Sequence, residues 1–362
     1  MTPLARRAVM REVAELAGVA LSSVSRVLSD HPDVSAAMRE RVLVAVEELG
    51  YTPDLLAQSL RTQRTRSVGF VVGDISNPIV SQMVKGAETT LGEAGYSMLL
   101  TNSLVEPELD VKNILLLAQR RVDALILLLV REDNQPTLDV LAQLEIPLVL
   151  IERDVPASIA ANRVISDHRR GMEQAVTHLL GLGHRRIALI VGQPVRPTRE
   201  RRRAFEDVLA RAGAPASVNW VREGFYSVEH GAVATRELLD MGEPPTAIIA
   251  GGNQIMIGAL QVISERGLDL GVDLSFVGCD DLSVAGLYRP PVAVIDRDIE
   301  ALGRTAAELV LESLQTGAAE VRTVVHTTNF LARPSCGPAP QEPGSWRRRA
   351  AGSVSGRSAA RR

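Results

Sequence analysis

Short hydroxyl side chains crowd one small stretch of this chain. In "LSSVSRVLS", Ser22, Ser23, Ser25 and Ser29 surround Arg26, and Leu21 precedes them. Hydroxyls serve phosphate oxygens or base edges, and a guanidinium pairs with guanine through two hydrogen bonds. On one helix face that set suits a DNA major groove. The solvated face of a small helical bundle would carry the same residue types. Elsewhere, patterns that carry chemistry are few. The chain has no GxxxxGK[ST] phosphate loop, GxGxxG turn, GxSxG elbow or HExxH zinc pair. Its six histidines are scattered singly, and His184, in "LGH", reads as the closure of a helix–strand connection. Asp280 and Asp281 are adjacent. On an extended chain they point to opposite sides, so only one can face a cleft. That suits hydrogen bonding to a polar ligand better than an acid–base dyad. Cys279 and Cys336 have neither metal spacing nor a CxxC pair. No catalysis, metal or cofactor is expected.

The elements that must position these residues fall into two regimes. Near the N-terminus, Val13, Leu16 and Ala17 recur at helical spacing, and so do Val24, Val27 and Leu28. Gly18 between them lets a helix stop and turn. Ser35 can cap a third helix with Val42, Val46 and Leu49 as its buried stripe. Pro53 and Asp54 then fit the start of a short apolar helix with Leu55, Leu56, Ala57 and Leu60, followed by the polar linker "RTQRTRS". From 67 onward, strand-like runs at 68–72, 97–101, 124–130, 147–151, 187–191, 246–250 and 275–279 alternate with amphipathic helical segments. That alternation predicts α/β architecture with parallel sheets covered by helices on both faces. Such sheets bind ligands at the carboxyl ends of their strands. About 265 residues exceed one comfortable sheet, so two sub-domains are expected.

The order of several motifs then narrows the reading. "VAELAGV", "VSRVL", "RERV", "LGYTPD", "LAQSL" and "SVGFVV" resemble the helix-turn-helix head and hinge helix of the LacI/GalR family of bacterial transcription regulators. "DISNPI", "GYSMLLTNS", "VDALIL", "IPLVLIER", "HLLGLGHRRIALI", "GCDD" and "RPPVAVID" continue the resemblance over about residues 9–333. It implies a DNA-binding domain at 1–52, a hinge helix and linker at 53–66, and a periplasmic-binding-protein-like effector and dimerisation domain at 67–333. Sub-domain one would hold about 67–162 and 292–321, and sub-domain two 163–291 and 322–333. By the same resemblance Leu21, Ser22, Ser23, Ser25, Arg26, Ala57 and Leu60 would meet DNA, with Leu60 wedged in the minor groove. Asp74, Asn77, Ile79, Asn102, Glu152, Arg201, Gly252, Asn253 and Asp280 would meet the effector. Asn102 either points into the cleft or ends its strand.

Departures from the family pattern are informative. Val9 replaces a helix-capping Thr, and Leu21 a residue that is often polar. Ile79 and Val80 stand where an aromatic often follows "SNP", and only 3% of the chain is aromatic. Gly252–Asn253 fills the place of an Asn–Asp pair, and Glu152 that of an Asp. A sugar-stacking pocket of the usual kind is therefore not expected. From 334 to 362 the Gly-, Pro-, Ser- and Arg-rich tail reads as disordered and basic. The N-terminal residues carry no signal-peptide pattern, and no apolar run approaches a membrane span. The expectation is a cytoplasmic, ligand-responsive, sequence-specific repressor. It would act as a homodimer or tetramer on double-stranded, pseudo-palindromic DNA, with a small effector such as a sugar and no membrane. A solute-binding protein without a transcriptional role is the alternative, opposed by the helix-turn-helix and the missing signal pattern.

Overall fold

The computed structural model describes residues 8–28, 31–51, 64–214, 220–317, 320–341 and 344. The chain divides into two compact units, Met1–Arg66 and Ser67–Arg362. The first holds α1 (Met10–Ala17), α2 (Leu21–Leu28) and α3 (Ala36–Glu48). Val9 offers no side-chain acceptor at the start of α1. The Glu12 carboxylate instead accepts the Val9 N–H at 2.9 Å, one half of a capping box. Gly18 at φ 60° ends α1, and the Val19 N–H donates back to the Ala14 carbonyl at 3.0 Å. Ser35 caps α3, accepting the Met38 N–H. Val13, Ala14, Ala17, Val24, Val27, Val42, Ala45 and Tyr51 form the core. Leu16, expected in that stripe, is 47% exposed. It lies roughly 100° round the helix from the centre of the face that Val13, Ala14 and Ala17 define.

The second unit contains two six-stranded sheets. The first runs β11-β5-β4-β3-β1-β2, all parallel, from β1 (Ser67–Val72), β2 (Ser97–Asn102), β3 (Ala124–Leu128), β4 (Leu148–Ile151), β5 (Asn162–Asp167) and β11 (Thr323–Thr327). The second runs β12-β10-β9-β8-β6-β7, from β6 (Ile187–Val191), β7 (Val221–Glu223), β8 (Ala247–Ala250), β9 (Ser275–Cys279), β10 (Ala293–Asp296) and β12 (Asn329–Leu331). Here β12 alone is antiparallel, against β10. The continuous apolar runs of β3 and β6 are buried on both faces, as covered parallel sheets require. Around the first sheet lie α4 (Pro78–Glu93), α5 (Pro107–Gln119), α6 (Gln135–Leu141) and α12 (Ile299–Thr316); around the second, α7 (His168–Gly181), α8 (Arg196–Arg211), α9 (Val228–Asp240), α10 (Asn253–Glu265) and the short α11 (Ser283–Leu287).

Three passages join the sheets, after 167, 296 and 327. Each falls later than the expected 162, 292 and 322. The ladders explain this: β5 pairs with β4 over its first half, β10 with β9, and β11 with β5. Each strand stays whole in its parent sheet, and the crossing falls in the short link that follows. The tail also departs from expectation. Ser335 is fully buried, donates to the Phe276 carbonyl at 2.7 Å and accepts the Ala293 N–H at 2.8 Å. The Gly337 carbonyl meets His184 Nε2 at 3.0 Å, and the Ala339 N–H reaches Leu182. Small residues let this segment satisfy backbone groups of the second sheet, so 335–341 are docked rather than disordered. Residues 342–343 and 345–362 lie outside the described residues. Among the described residues no helix is long and apolar enough to cross a membrane.

Helices α4 and α12 touch through backbone. A Cβ on Gly86 would meet the Glu300 carbonyl oxygen at 2.2 Å, and one on Gly303 the Met83 carbonyl oxygen at 1.8 Å. No side chain can give way there. Gly303→Ala should therefore destabilise the fold by about 1–3 kcal/mol or more, read as a lower urea midpoint. An unchanged midpoint would show that the helices separate freely.

Candidate functional site

A cavity of about 130 Å³ lies between the two sheets, at the carboxyl ends of their strands. Asp74 and Asn77 enter from the loop after β1, Glu152 from the end of β4, and Asp280 from the end of β9. Gly252 and Asn253 come from the start of α10, and Arg201 from α8. Glu152 and Asp280 both have left-handed backbones, at φ 56° and 69°. Such conformations cost a non-glycine residue on the order of 1–3 kcal/mol. They end each strand abruptly and re-aim its terminal carboxylate.

The floor of the cavity is an ion cluster spanning both sub-domains. Arg297 donates from Nε to Asp280 at 2.9 Å and from a terminal nitrogen to Glu152 at 2.7 Å. Glu152 also accepts from the Ser166 hydroxyl and, at 2.6 Å, from His168 Nε2. Burial opposes the Glu152 charge, but His168, Arg297 and Ser166 outweigh it and hold the carboxyl well below the usual carboxylate range. Burial also pushes the His168 imidazole down to about 4, against the pull of Glu152 and with repulsion from Arg201 and Arg297. At neutral pH the ring is an uncharged donor, and its buried Nδ1 has no partner.

Further contacts cross the cleft. Asn253 Nδ2 donates to Asn77 Oδ1 at 2.7 Å. Outside the cavity lining, Arg199 pairs with Glu132 and with Asp154 at 2.9 Å, and Arg196 meets Asp154 at 3.2 Å. Arg201 is 4% exposed and donates to the Gly251 carbonyl at 2.7 Å, while its Nε has no partner.

The structure thus brings Asp74, Asn77, Ile79, Glu152, Arg201, Gly252, Asn253 and Asp280 to one cavity. Asn102 is not part of the lining. It ends β2, where its Oδ1 accepts the Leu104 N–H. Sequence reasoning missed Arg297, His168 and Tyr226. Tyr226 lines the cavity, with its hydroxyl 2.7 Å from that of Thr198. A Cβ on Gly252 would sit 2.6 Å from its ring, and one on Gly192 2.3 Å. The glycine at 252 therefore makes room for an aromatic wall that the first loop lacks. The glycines were the signal that could have found it.

On the N-terminal unit, Leu21, Ser22 and Arg26 are exposed along α2, and Ser23 and Ser25 are half-buried. Val24 and Val27 anchor the opposite face. Ala57 and Leu60, and most of the expected hinge helix and linker at 53–66, lie outside the described residues.

Two outcomes follow from the floor cluster. Arg297→Met leaves two buried carboxylates without their shared partner, so it should cost about 3–5 kcal/mol of stability in chemical denaturation. A loss below about 1 kcal/mol would show that the cluster is open to water. Second, between pH 6.5 and about 4 the unfolded chain gains a proton on His168 that the folded chain refuses. Stability should fall with pH across that window. The slope should exceed that of His168→Gln by at most about 1.4 kcal/mol per pH unit. Parallel slopes would mean that His168 is charged in the folded state.

Comparison with known proteins places this geometry. The model for periplasmic binding proteins and sugar-binding domains of the LacI family matches residues 65–334, and the model for bacterial regulatory proteins of the lacI family matches 9–54. The chain is 32% identical over 310 residues to the HTH-type transcriptional repressor PurR of Haemophilus influenzae (strain PittEE), covering 85% of this chain and 91% of that one. It is 31% identical over 295 residues to the HTH-type transcriptional regulator DegA of Bacillus subtilis (strain 168), covering 81% and 87%. The crystal structure of the lac repressor dimer bound to operator and the anti-inducer ONPF superposes with a TM-score of 0.80 at 30% identity, over 92% of this chain and all of that one. The chain belongs to the LacI family of bacterial regulatory proteins, as a ligand-modulated, DNA-binding transcriptional regulator.

Proposed function

We propose that the chain represses transcription in the cytoplasm by placing α2 of two copies in the major grooves of a pseudo-palindromic operator, and that a small effector in the cavity changes its affinity for that site. The observation that carries the DNA reading is the two-sided character of α2. Ser22 and Arg26 are four apart on an exposed face, while Val24 and Val27 are buried. Leu21 beside them can touch a thymine methyl. Leu99 and Leu100, exposed on the edge strand β2, support pairing of two copies. Tyr226, Arg201, Asp280 and Asn253 support recognition of a small polar ligand. No catalytic role is assigned; the relatives bear the names of transcriptional regulators.

Arg26→Ala should weaken specific binding by about 1–3 kcal/mol in a fluorescence-anisotropy titration, with a smaller effect on random DNA. Equal loss on both would make Arg26 a phosphate contact. Leu60→Ser should abolish tight operator binding while sparing dimerisation and effector affinity. Arg201→Ala should keep DNA binding and lose the effector response. A monomer saturating the operator one-to-one in analytical ultracentrifugation would overturn the dimeric reading.

A further inference from the structure

Two of the three arginines that line the cavity lack an ion-pair partner among the described residues. Arg297 is matched by Glu152 and Asp280. Arg201 and Arg153 line the same cavity and are 4% and 9% exposed, yet among the described residues neither makes an ion pair. Each is tied down through backbone oxygens only. Arg153 donates from Nε to Leu129 at 2.6 Å and from a terminal nitrogen to the Glu152 carbonyl at 2.9 Å. Arg201 donates to the Gly251 carbonyl, and its Nε is orphaned. The carboxylates nearby are already engaged. Glu152 holds Arg297, Ser166 and His168, Asp280 holds Arg297, and Glu132 pairs with Arg199. Asp110 accepts the Val130 N–H at 2.8 Å, and Asp74 accepts from the Ser76 N–H and hydroxyl. Among the described residues Arg153 and Arg201 therefore stay without a carboxylate in ion-pair reach.

A cation taken out of water without a counter-charge is costly, and the guanidinium fork fits a carboxylate or phosphate through paired hydrogen bonds. Ile79, Val80, Met83, Val105, Leu128 and Val130 give the cavity an apolar wall, beside the polar Asp74, Asn77, Gln193 and Asn253. A cavity of about 130 Å³ is close in size to engineered ones that take up a single benzene ring. We propose that the effector is a compact organic monoanion about one ring in size, its anionic group held by Arg153 and Arg201 and its body against Ile79, Met83 and Val105. This rests on reading the cavity as the effector site.

The test uses the full chain, with melting shifts and calorimetry as readouts. Benzoate, 4-hydroxybenzoate, mandelate and gluconate are each compared with the matching amide or alcohol, and inorganic phosphate serves as the phosphate arm. At least one acid should raise the melting temperature and give a measurable Kd. Its neutral partner should bind at least tenfold more weakly. Arg153→Gln should weaken that acid tenfold or more, and Arg153→Lys should recover part of the loss. Binding of phosphate without any carboxylate would keep the anion site and assign it to a phosphorylated ligand. Neutral compounds binding as well as their acids, or no anion binding at all, would overturn the proposal. Release of an operator complex by a neutral compound alone would overturn the anion and leave the effector reading standing. Calorimetry needs no DNA, so failure of operator binding would strike the regulatory reading without touching this one.

Discussion

Arg297 holds a guanidinium, 9% exposed, against one carboxylate from each half of the effector domain. Three charges removed from water are stable only when geometry and hydrogen bonding are close to ideal. Both acids meet that demand by leaving their strands through left-handed turns, and Glu152 adds a hydroxyl and an imidazole. The passages after 167 and 296 bring His168 and Arg297 to the same floor. Any movement of one sheet against the other must carry this cluster with it or break it. The position of the cavity walls is therefore tied to this cluster, together with the Asn253–Asn77 hydrogen bond.

The two halves around it are stiff for separate reasons. Each has its own apolar cores, and α4 and α12 meet backbone to backbone at Gly86 and Gly303. Interiors of this density do not deform continuously. Rearrangement is accordingly confined to three short links and to the polar groups facing across the cleft, the arrangement expected of hinge closure around a ligand.

Much of this was legible in sequence, and the reasons are specific. The runs at 124–128 and 187–191 are buried on both sides, so composition alone marks them as strands. The strands β5, β10, β11 and β12 are short or carry polar residues, and β11 finds its partner, β5, far earlier in the chain. Arg297 was invisible because "DRD" reads as a solvated charge run; only the fold places an acid on either side of it. His168 was one of several arginine-flanked polar residues with no periodic signal. The docked 335–341 segment has a disordered composition, but its small side chains are what let it lie against the second sheet. Within the site, the motif-bearing residues were found where their motifs sit at strand ends. Of the two places open to Asn102, the structure shows the second: it ends its ladder and does not line the cavity.

The pairs that join Arg196 and Arg199 to Glu132 and Asp154 differ in kind from the buried floor. Arg196, Arg199 and Asp154 are partly wet, so each contact is individually weak and screened by salt within about 8 Å at physiological ionic strength. They link the two sub-domains without lining the cavity. Their effect therefore falls on how readily the two halves part rather than on what the floor recognises. Ease of opening becomes a property of the surrounding electrolyte, adjustable without any change in the residues that face the cavity.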